Sequence, residues 1–256
     1  MRKEVKMEMR REIIMGLDIS TSCIGICILE DNNTPYGKIL ELTHVNPKIP
    51  SKIEGVEALF LKKQIFNDEF LSKWKDFGVT RVIIESPLLR SNNVNTVATL
   101  LQFNGMISDA IYNTLGIIPE YISSYDARKF AFPTLTSVRK FDKNGVAYPK
   151  KKILKSLEEN QVVLFGAYDW QIDKKSVIMG HVNEICPDID WLIDKNGEFK
   201  KENFDSCDAF VACIGLLNMQ RYQDFSPIIS NIEDHGNYIT YQMNYWDQSE
   251  IKKITF

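Results

Sequence analysis

Residues 12–30 read EIIMGLDISTSCIGICILE. Two apolar runs, 12–18 and 23–30, flank the polar turn Ser20, Thr21 and Ser22, and Asp31, Asn32 and Asn33 follow the second run. Short apolar stretches bounded by turn formers predict two strands joined back to back. Asp18 ends the first run, and Gly25 sits in the returning one. Working outward, KILELTHV (38–45) supplies a third strand, so the chain begins with an antiparallel meander. Ile53, Val56, Phe60, Ile65, Phe70, Trp74 and Phe77 recur at helical spacing and predict a helix over 51–77, ended by Gly78. RVIIE (81–85) is a continuous apolar strand of the kind buried at the centre of a sheet, and it ends on Glu85. A helix over about 92–115 stops at Gly116, IIPEYIS (117–123) is a fifth strand, and SYDARKFAF begins a short helix.

Three strands, helix, strand, helix, strand, helix predict an α/β fold: a mixed five-stranded sheet flanked by helices, antiparallel strands first. Beyond it, 133–149 is punctuated by Pro and Gly and reads as a loop. YPKKKILKSLEENQ (148–161) reads as a helix, and 162–204 as an irregular insertion. Residues 205–222 form the last strong helix. Residues 1–11 are expected to be a basic N-terminal arm, 12–222 the main domain, and 223–256 a C-terminal extension with strand-like alternation in NYITYQMNYW.

Composition is that of a globular protein, 44% hydrophobic and 25% charged. No apolar run approaches the roughly 18 residues of a membrane span. The first residues, MRKEVKMEMRRE, lack the apolar core of a secretion signal. The five cysteines form no CxxC pair and the three histidines are scattered, which argues for reduced, buried thiols in a reducing compartment and against zinc. The cytoplasm is the expected location, that of a host cell if the gene is phage- or virus-borne, with organelle and nucleus left open. Net charge is −3, but its distribution is uneven. Arg128, Lys129, Arg139, Lys140, Lys143, Lys150, Lys151, Lys152 and Lys155 stand against one acid, Asp142, while 156–208 holds twelve acids and five bases. Such a basic stretch is either a footprint for phosphates or a solvated face.

Asp18 and Glu85 end separate apolar strands. Asp205 and Asp208, in FDSCDAF, are three apart and share a face if helical. Asp205 also suits a helix N-cap, with Asp208 then in the first turn. Four carboxylates from distant segments, brought together where a helix packs on a sheet, repel one another unless protons or cations join them. Oxygen donors of this kind suit Mg2+ or Mn2+, and two such ions can clamp both oxygens of a phosphodiester under attack.

At these residues the chain resembles the RuvC-type Holliday junction resolvases of the ribonuclease H-like superfamily. GLDISTSCIGICIL is similar to the family's first strand hairpin, with Asp18 as a metal ligand and Gly25 in the returning strand. In RVIIESPLLRSNNVNTVATLLQFNG, Glu85 matches the second ligand, Asn92 a following polar position, and Gln102 and Gly105 the helix's Gln-x-x-Gly. YISSYDARKFAF is similar to the strand and basic turn before the DNA-facing loop, and DSCDAF to the closing pair, Asp205 and Asp208. The resemblance covers roughly 12–160 and 203–218. It implies a homodimer that makes paired nicks in four-way DNA junctions with two Mg2+ or Mn2+ ions per site, leaving 5′-phosphate and 3′-hydroxyl ends. It also implies a catalytic lysine, Lys151 or Lys152, and DNA contacts from Arg128, Lys129, Arg139, Lys140, Lys143, Lys150, Arg90 and Asn92. Leu88 stands at the family's wedge position, where an apolar side chain opens a base step, or it is core. Phe103, Met106 and Ile107 are candidates for the dimer contact, or core.

The chain departs from the bacterial family form in having Ile-Ser after Asp18 rather than Pro-Gly, a longer stretch between Lys155 and Asp205, and an extra tail. The Ile-Ser is closer to phage, viral or organellar relatives, and the departures together leave open a different nucleic-acid substrate, such as branched replication intermediates or flaps. Three other readings stay open: a ribonuclease H-like nuclease for flaps or RNA–DNA hybrids; an actin/hexokinase-type ATP-binding kinase, whose first phosphate loop GLDISTSCIGICIL also resembles; and a catalytically silent nucleic-acid-binding module.

Overall fold

A computed structural model of the chain describes residues 12–32, 34, 36–87, 93–132, 138–140, 163–168, 174–221, 228–234 and 239–244. Strands β1 (Glu12–Ile19), β2 (Ile24–Asp31), β3 (Lys38–Val45), β4 (Val79–Glu85) and β5 (Glu120–Ile122) form one sheet in the order β3-β2-β1-β4-β5. β1–β2 and β2–β3 pair antiparallel, while β1–β4 and β4–β5 pair parallel. Short turns suffice for the antiparallel pairs, and helices make the parallel crossovers. The result is the ribonuclease H-like sheet that the element order predicts. Ser20 closes the first hairpin: its N–H donates to the Cys23 carbonyl at 3.0 Å, and its Oγ accepts from the Cys23 N–H at 3.1 Å.

The period-two alternation of strand side chains decides what lies on each face. Met15, Leu17, Ile19, Ile24, Ile26, Ile28, Val82 and Ile84 are buried on one side. There they meet Leu59 and Phe66 of α1 (Gly55–Phe66) and Phe103 and Ile107 of α3 (Val94–Leu115). Between these helices, α1 runs through a single π turn (Asn67–Leu71) into the short α2 (Ser72–Trp74), which buries Phe70, Leu71 and Trp74. Asn93 caps α3 by accepting from the N–H groups of Asn95 and Thr96 at 3.1 and 3.3 Å, and Gly116 ends it at φ 73°. Ile14, Cys27, Leu29 and Ile83 face the opposite side, packed with α4 (Ser124–Ala131), α5 (Lys174–Ile185) and α6 (Lys201–Arg221). By the same parity Gly16, Asp18, Gly25 and Glu85 belong to this second face.

Helix α6 is buried almost all round from Asp205 to Asn218, as the unbroken apolar run AFVACIGLL over 209–217 requires. It crosses β1 to β4 and packs along α4. It begins at Lys201, four residues before the expected start, so Asp205 lies inside the helix and is not its N-cap. Two further expectations need correction. The segment read as irregular, 162–204, contains β7 (Val163–Tyr168) and α5, whose buried Ile178, Met179 and Val182 follow helical spacing. The segment read as a loop, 133–149, contains β6 (Val138–Lys140). With β8 (Ile228–Asp234) and β9 (Ile239–Asn244) from the C-terminal extension, these form a second sheet in the order β6-β7-β9-β8. The expected basic arm 1–11 and the helix over 148–161 lie outside the described residues. None of the described helices is long and apolar enough to cross a membrane.

Candidate active site

β1 and β4 run parallel and side by side, with Leu17 beside Ile84 at the last registered pair, so Asp18 and Glu85 leave the sheet together at the same end. In sheets of this kind ligands bind at the carboxyl ends of the parallel strands. Asp18 also pairs across the hairpin with Gly25. A Cβ on Gly25 would collide with the backbone carbonyl of Asp205 and come within 2.6 Å of the Ser206 nitrogen. A Cβ on Gly16 would strike the Ala209 carbonyl and the Cys213 sulfur. These two glycines let α6 lie directly on the hairpin, and that close approach delivers Asp205 and Asp208 to Asp18. Ser206 fixes the depth by donating to the Thr43 carbonyl of β3 at 2.7 Å.

The four carboxylates act on one another. Burial first, then the charges of Glu85, Asp208 and Asp205, push the Asp18 carboxyl well above the ordinary range. Glu85 is pushed from 4.5 to about 7, by burial first and then by Asp208, against the opposing pull of Arg128, Lys175 and a hydrogen bond with Ser124. Burial also raises Asp205, although a hydrogen bond with the Cys23 thiol opposes it. Asp208 is differently placed. It is 3% exposed, its Oδ1 accepts from an Arg128 guanidinium nitrogen at 3.0 Å, and its Oδ2 accepts from Lys175 Nζ at 2.6 Å. Arg128 is supplied by α4, whose first turn is capped by Ser123 accepting from the Asp126 N–H at 3.0 Å. Its neighbour Ala127 lies against Gly215 of α6, where a Cβ would come within 2.6 Å of Ala127 Cα.

The donor set suits a hard divalent cation. Every candidate ligand is a carboxylate oxygen, and Glu85 Oε2 and Asp205 Oδ2 are buried without a hydrogen-bond partner in the protein. Asp18, Glu85, Asp205 and Asp208 are the residues that would hold it. Among the described residues no three His, Cys, Asp or Glu side chains are drawn tightly enough together to form a finished metal cluster, and cationic side chains occupy both oxygens of Asp208.

The DNA-contact and lysine candidates named from the sequence do not all meet at the site. Arg128 is in the site, but on Asp208 rather than on an open surface. Lys129, next to it, lies over the Phe130 ring at 4.9 Å. Arg139 and Lys140 lie on β6. Leu88, Arg90, Asn92, Lys143, Lys150, Lys151 and Lys152 fall outside the described residues. Of the dimer candidates, Phe103 and Ile107 are fully buried core residues, and only Met106 is partly exposed. Sequence reasoning missed Lys175 and Ser124. The apolar spacing of KKSVIMGHVNEI was signal enough for helix α5, but nothing local ties Lys175 to a carboxylate 33 residues away.

No family model matches this sequence, and no curated protein matches it. Among solved structures the chain is similar to Thermus thermophilus RuvC in complex with a Holliday junction substrate, at 11% identity over 85% of this chain and 99% of that one, with a TM-score of 0.49. It is similar to Thermus thermophilus RuvC at 12% identity, over 82% and 95% of the two chains, with a TM-score of 0.46. It is also similar to the yeast mitochondrial Holliday junction resolvase Ydc2, at 11% identity, over 82% and 80%, with a TM-score of 0.46. Strand order, register and the packing of α6 identify the fold of the chain as a ribonuclease H-like α/β one.

Proposed function

We propose that the chain is a metal-dependent, structure-specific DNA endonuclease that resolves four-way junctions by paired nicks. The observation that carries this reading is the convergence of Asp18, Glu85, Asp205 and Asp208 at one end of β1, β4 and α6, with two buried carboxylate oxygens lacking partners. Burial and neighbouring charge raise the proton affinity of Asp18, Glu85 and Asp205 at a cost to folding that a structural role does not explain, and divalent cations relieve it. Bound Mg2+ or Mn2+, two ions per site, would supply Lewis-acid stabilisation of the phosphodiester and its leaving oxygen. The protein's own part is to hold these oxygens in place. Arg128 fixes the direction of Asp208, and the Ser124 hydroxyl orients Glu85. Hydrolysis of this type leaves 5′-phosphate and 3′-hydroxyl ends.

Paired nicks require two sites, hence a homodimer. An open groove of about 350 Å³ between α1 and α3 supports this reading. Val56 and Phe60 are half exposed there, beside Gly105 and Met106, and Lys63 and Asp109 in the same groove give it both charges for a self-complementary contact. Five free, buried thiols agree with work in a reducing compartment: the cytoplasm, with organelle and nucleus left open.

Cleavage of a labelled mobile four-way junction tests the proposal, beside duplex, flap and RNA–DNA hybrid, with Mg2+, Mn2+ or EDTA. Symmetric metal-dependent nicks on the junction are expected. Asp18→Asn is expected to abolish them while keeping junction binding, and undiminished turnover by that variant would overturn the site. Cutting of flap or hybrid alone would move the function to another nuclease branch. Nucleotide binding without cleavage would favour the kinase reading, and tight junction binding without cleavage the silent module.

A further inference from the structure

Asp208 is the one carboxylate of the four whose two oxygens are both held by cationic side chains. The two cations are unlike. Arg128 sits in the interior of α4, its side chain is 19% exposed, and its helix is locked to α6 at Ala127 and Gly215. Lys175 reaches in from the first turn of α5, and its side chain is 44% exposed. An ammonium on a flexible four-carbon stem is strongly hydrated and returns to water with little loss. A guanidinium buried in a packed helix does not.

We propose that Lys175 is a built-in competitor of the divalent cation: it holds Asp208 in the metal-free protein and gives up Oδ2 when the metal binds, while Arg128 stays. This rests on the metal-site reading above. Oδ2 offers its lone pairs to an ammonium at 2.6 Å. A Mg2+ on that oxygen would need about 2.0–2.1 Å and would repel the ammonium from the same position. Lys175 therefore spares the metal-free protein an unpartnered Oδ2 on the buried Asp208 and sets a threshold on metal uptake. Because it hangs from the segment between the basic stretch and α6, metal binding also releases the start of α5 from the site.

Mn2+ titration calorimetry on the full-length protein without DNA tests this, with circular dichroism melts to establish that each variant is folded. Lys175→Met is expected to bind Mn2+ about tenfold more tightly than the wild type, the size of one charge-assisted hydrogen bond no longer displaced. Lys175→Arg, which keeps a cation in place, is expected to bind like the wild type. Lys175→Gln serves as a second neutral variant if Lys175→Met does not fold. Equal affinities in wild type and neutral variants, with binding present in both, would overturn the role of Lys175 and leave the metal site standing. Weaker binding by the neutral variants would overturn it too, making Lys175 a support for Asp208 rather than a rival. Absence of Mn2+ binding in every folded protein would overturn both readings.

Discussion

Replacing Glu85 by Gln should stabilise the metal-free protein at alkaline pH and leave it unchanged in acid. Glu85 ends β4 with Oε2 buried and unpartnered, and burial with the charge of Asp208 raises its carboxyl from 4.5 to about 7. Because the folded-state value is raised, the folded protein keeps a proton that the unfolded chain gives up. Stability from this group is complete below pH 4.5 and is lost as pH rises through about 7. At about 1.4 kcal/mol for each tenfold change in proton affinity, the loss is about 3 kcal/mol at pH 8. Glutamine has the same shape and no charge to bury. The assay is urea unfolding of both proteins in EDTA from pH 4 to pH 9. Glu85→Gln should exceed the wild type by about 3 kcal/mol at pH 8, and the two should converge near pH 4.5. Asp18 is raised partly by Glu85, so the change should also lower its proton affinity and add to the gain. Saturating Mg2+ should close most of the gap by stabilising only the wild type. A gap that does not vary with pH, or a variant weaker than the wild type at pH 8, would refute the reasoning: Glu85 would then be a satisfied carboxylate and not a strained ligand.

Two further substitutions probe the packing that assembles the site. Gly25→Ala places a methyl group into the Asp205 backbone and should cost about 3 kcal/mol or more in urea unfolding; Gly105→Ala, in α3 with nothing within 4 Å of the added carbon, should be neutral or gain up to about 1 kcal/mol, and equal effects at the two glycines would refute the close approach of α6. Arg128→Met leaves the 3%-exposed Asp208 with only Lys175 and should cost about 3 kcal/mol in EDTA, measured in the same way; a loss under about 0.5 kcal/mol would mean that the pair is a surface one.

The sheet was legible because its strands obey simple patterns. EIIMGLDI and IGICILED are buried, end at turn formers and pair in full register, while Val82, Ile83 and Ile84 form an unbroken apolar run because both faces of β4 are covered. The ligand set was legible for a related reason. Asp18 and Glu85 stand where parallel strands end, and Asp205 and Asp208 interrupt the most buried of the described helices. Where the reading failed, the missing information was tertiary. The sequence FDSCD suits an N-cap equally well, and only the burial of Asn203, which exchanges hydrogen bonds with the Leu192 backbone at 3.1 and 2.7 Å, draws the helix start back to Lys201. In the second sheet β9 lies within the strand-like NYITYQMNYW, whereas β6 and β7 escaped because VRK and VLFGAY are short and, among the described residues, pair with each other and with the distant tail.

The cations of the site show the same limit in a sharper form. A run of lysines at 150–152 attracts attention because charge density is visible in a sequence, but those lysines lie outside the described residues. Arg128 and Lys175 each carry a further basic residue beside them, Lys129 and Lys174, and neither stands out locally. What selects them is parity and packing. Arg128 is one residue from Ala127, the small side chain that allows α4 to touch α6, and Lys175 is three residues before Ile178, the first buried position of α5. Arg128, adjacent to an anchoring contact, has a fixed reach that orients a carboxylate 3% exposed, while Lys175, farther from its anchor and 44% exposed, does not. The orientation of Asp208 therefore depends on which basic residue the core holds still. The difference between a held arginine and a loosely held lysine on one aspartate gives this protein both a constant orientation for Asp208 and an oxygen it can exchange.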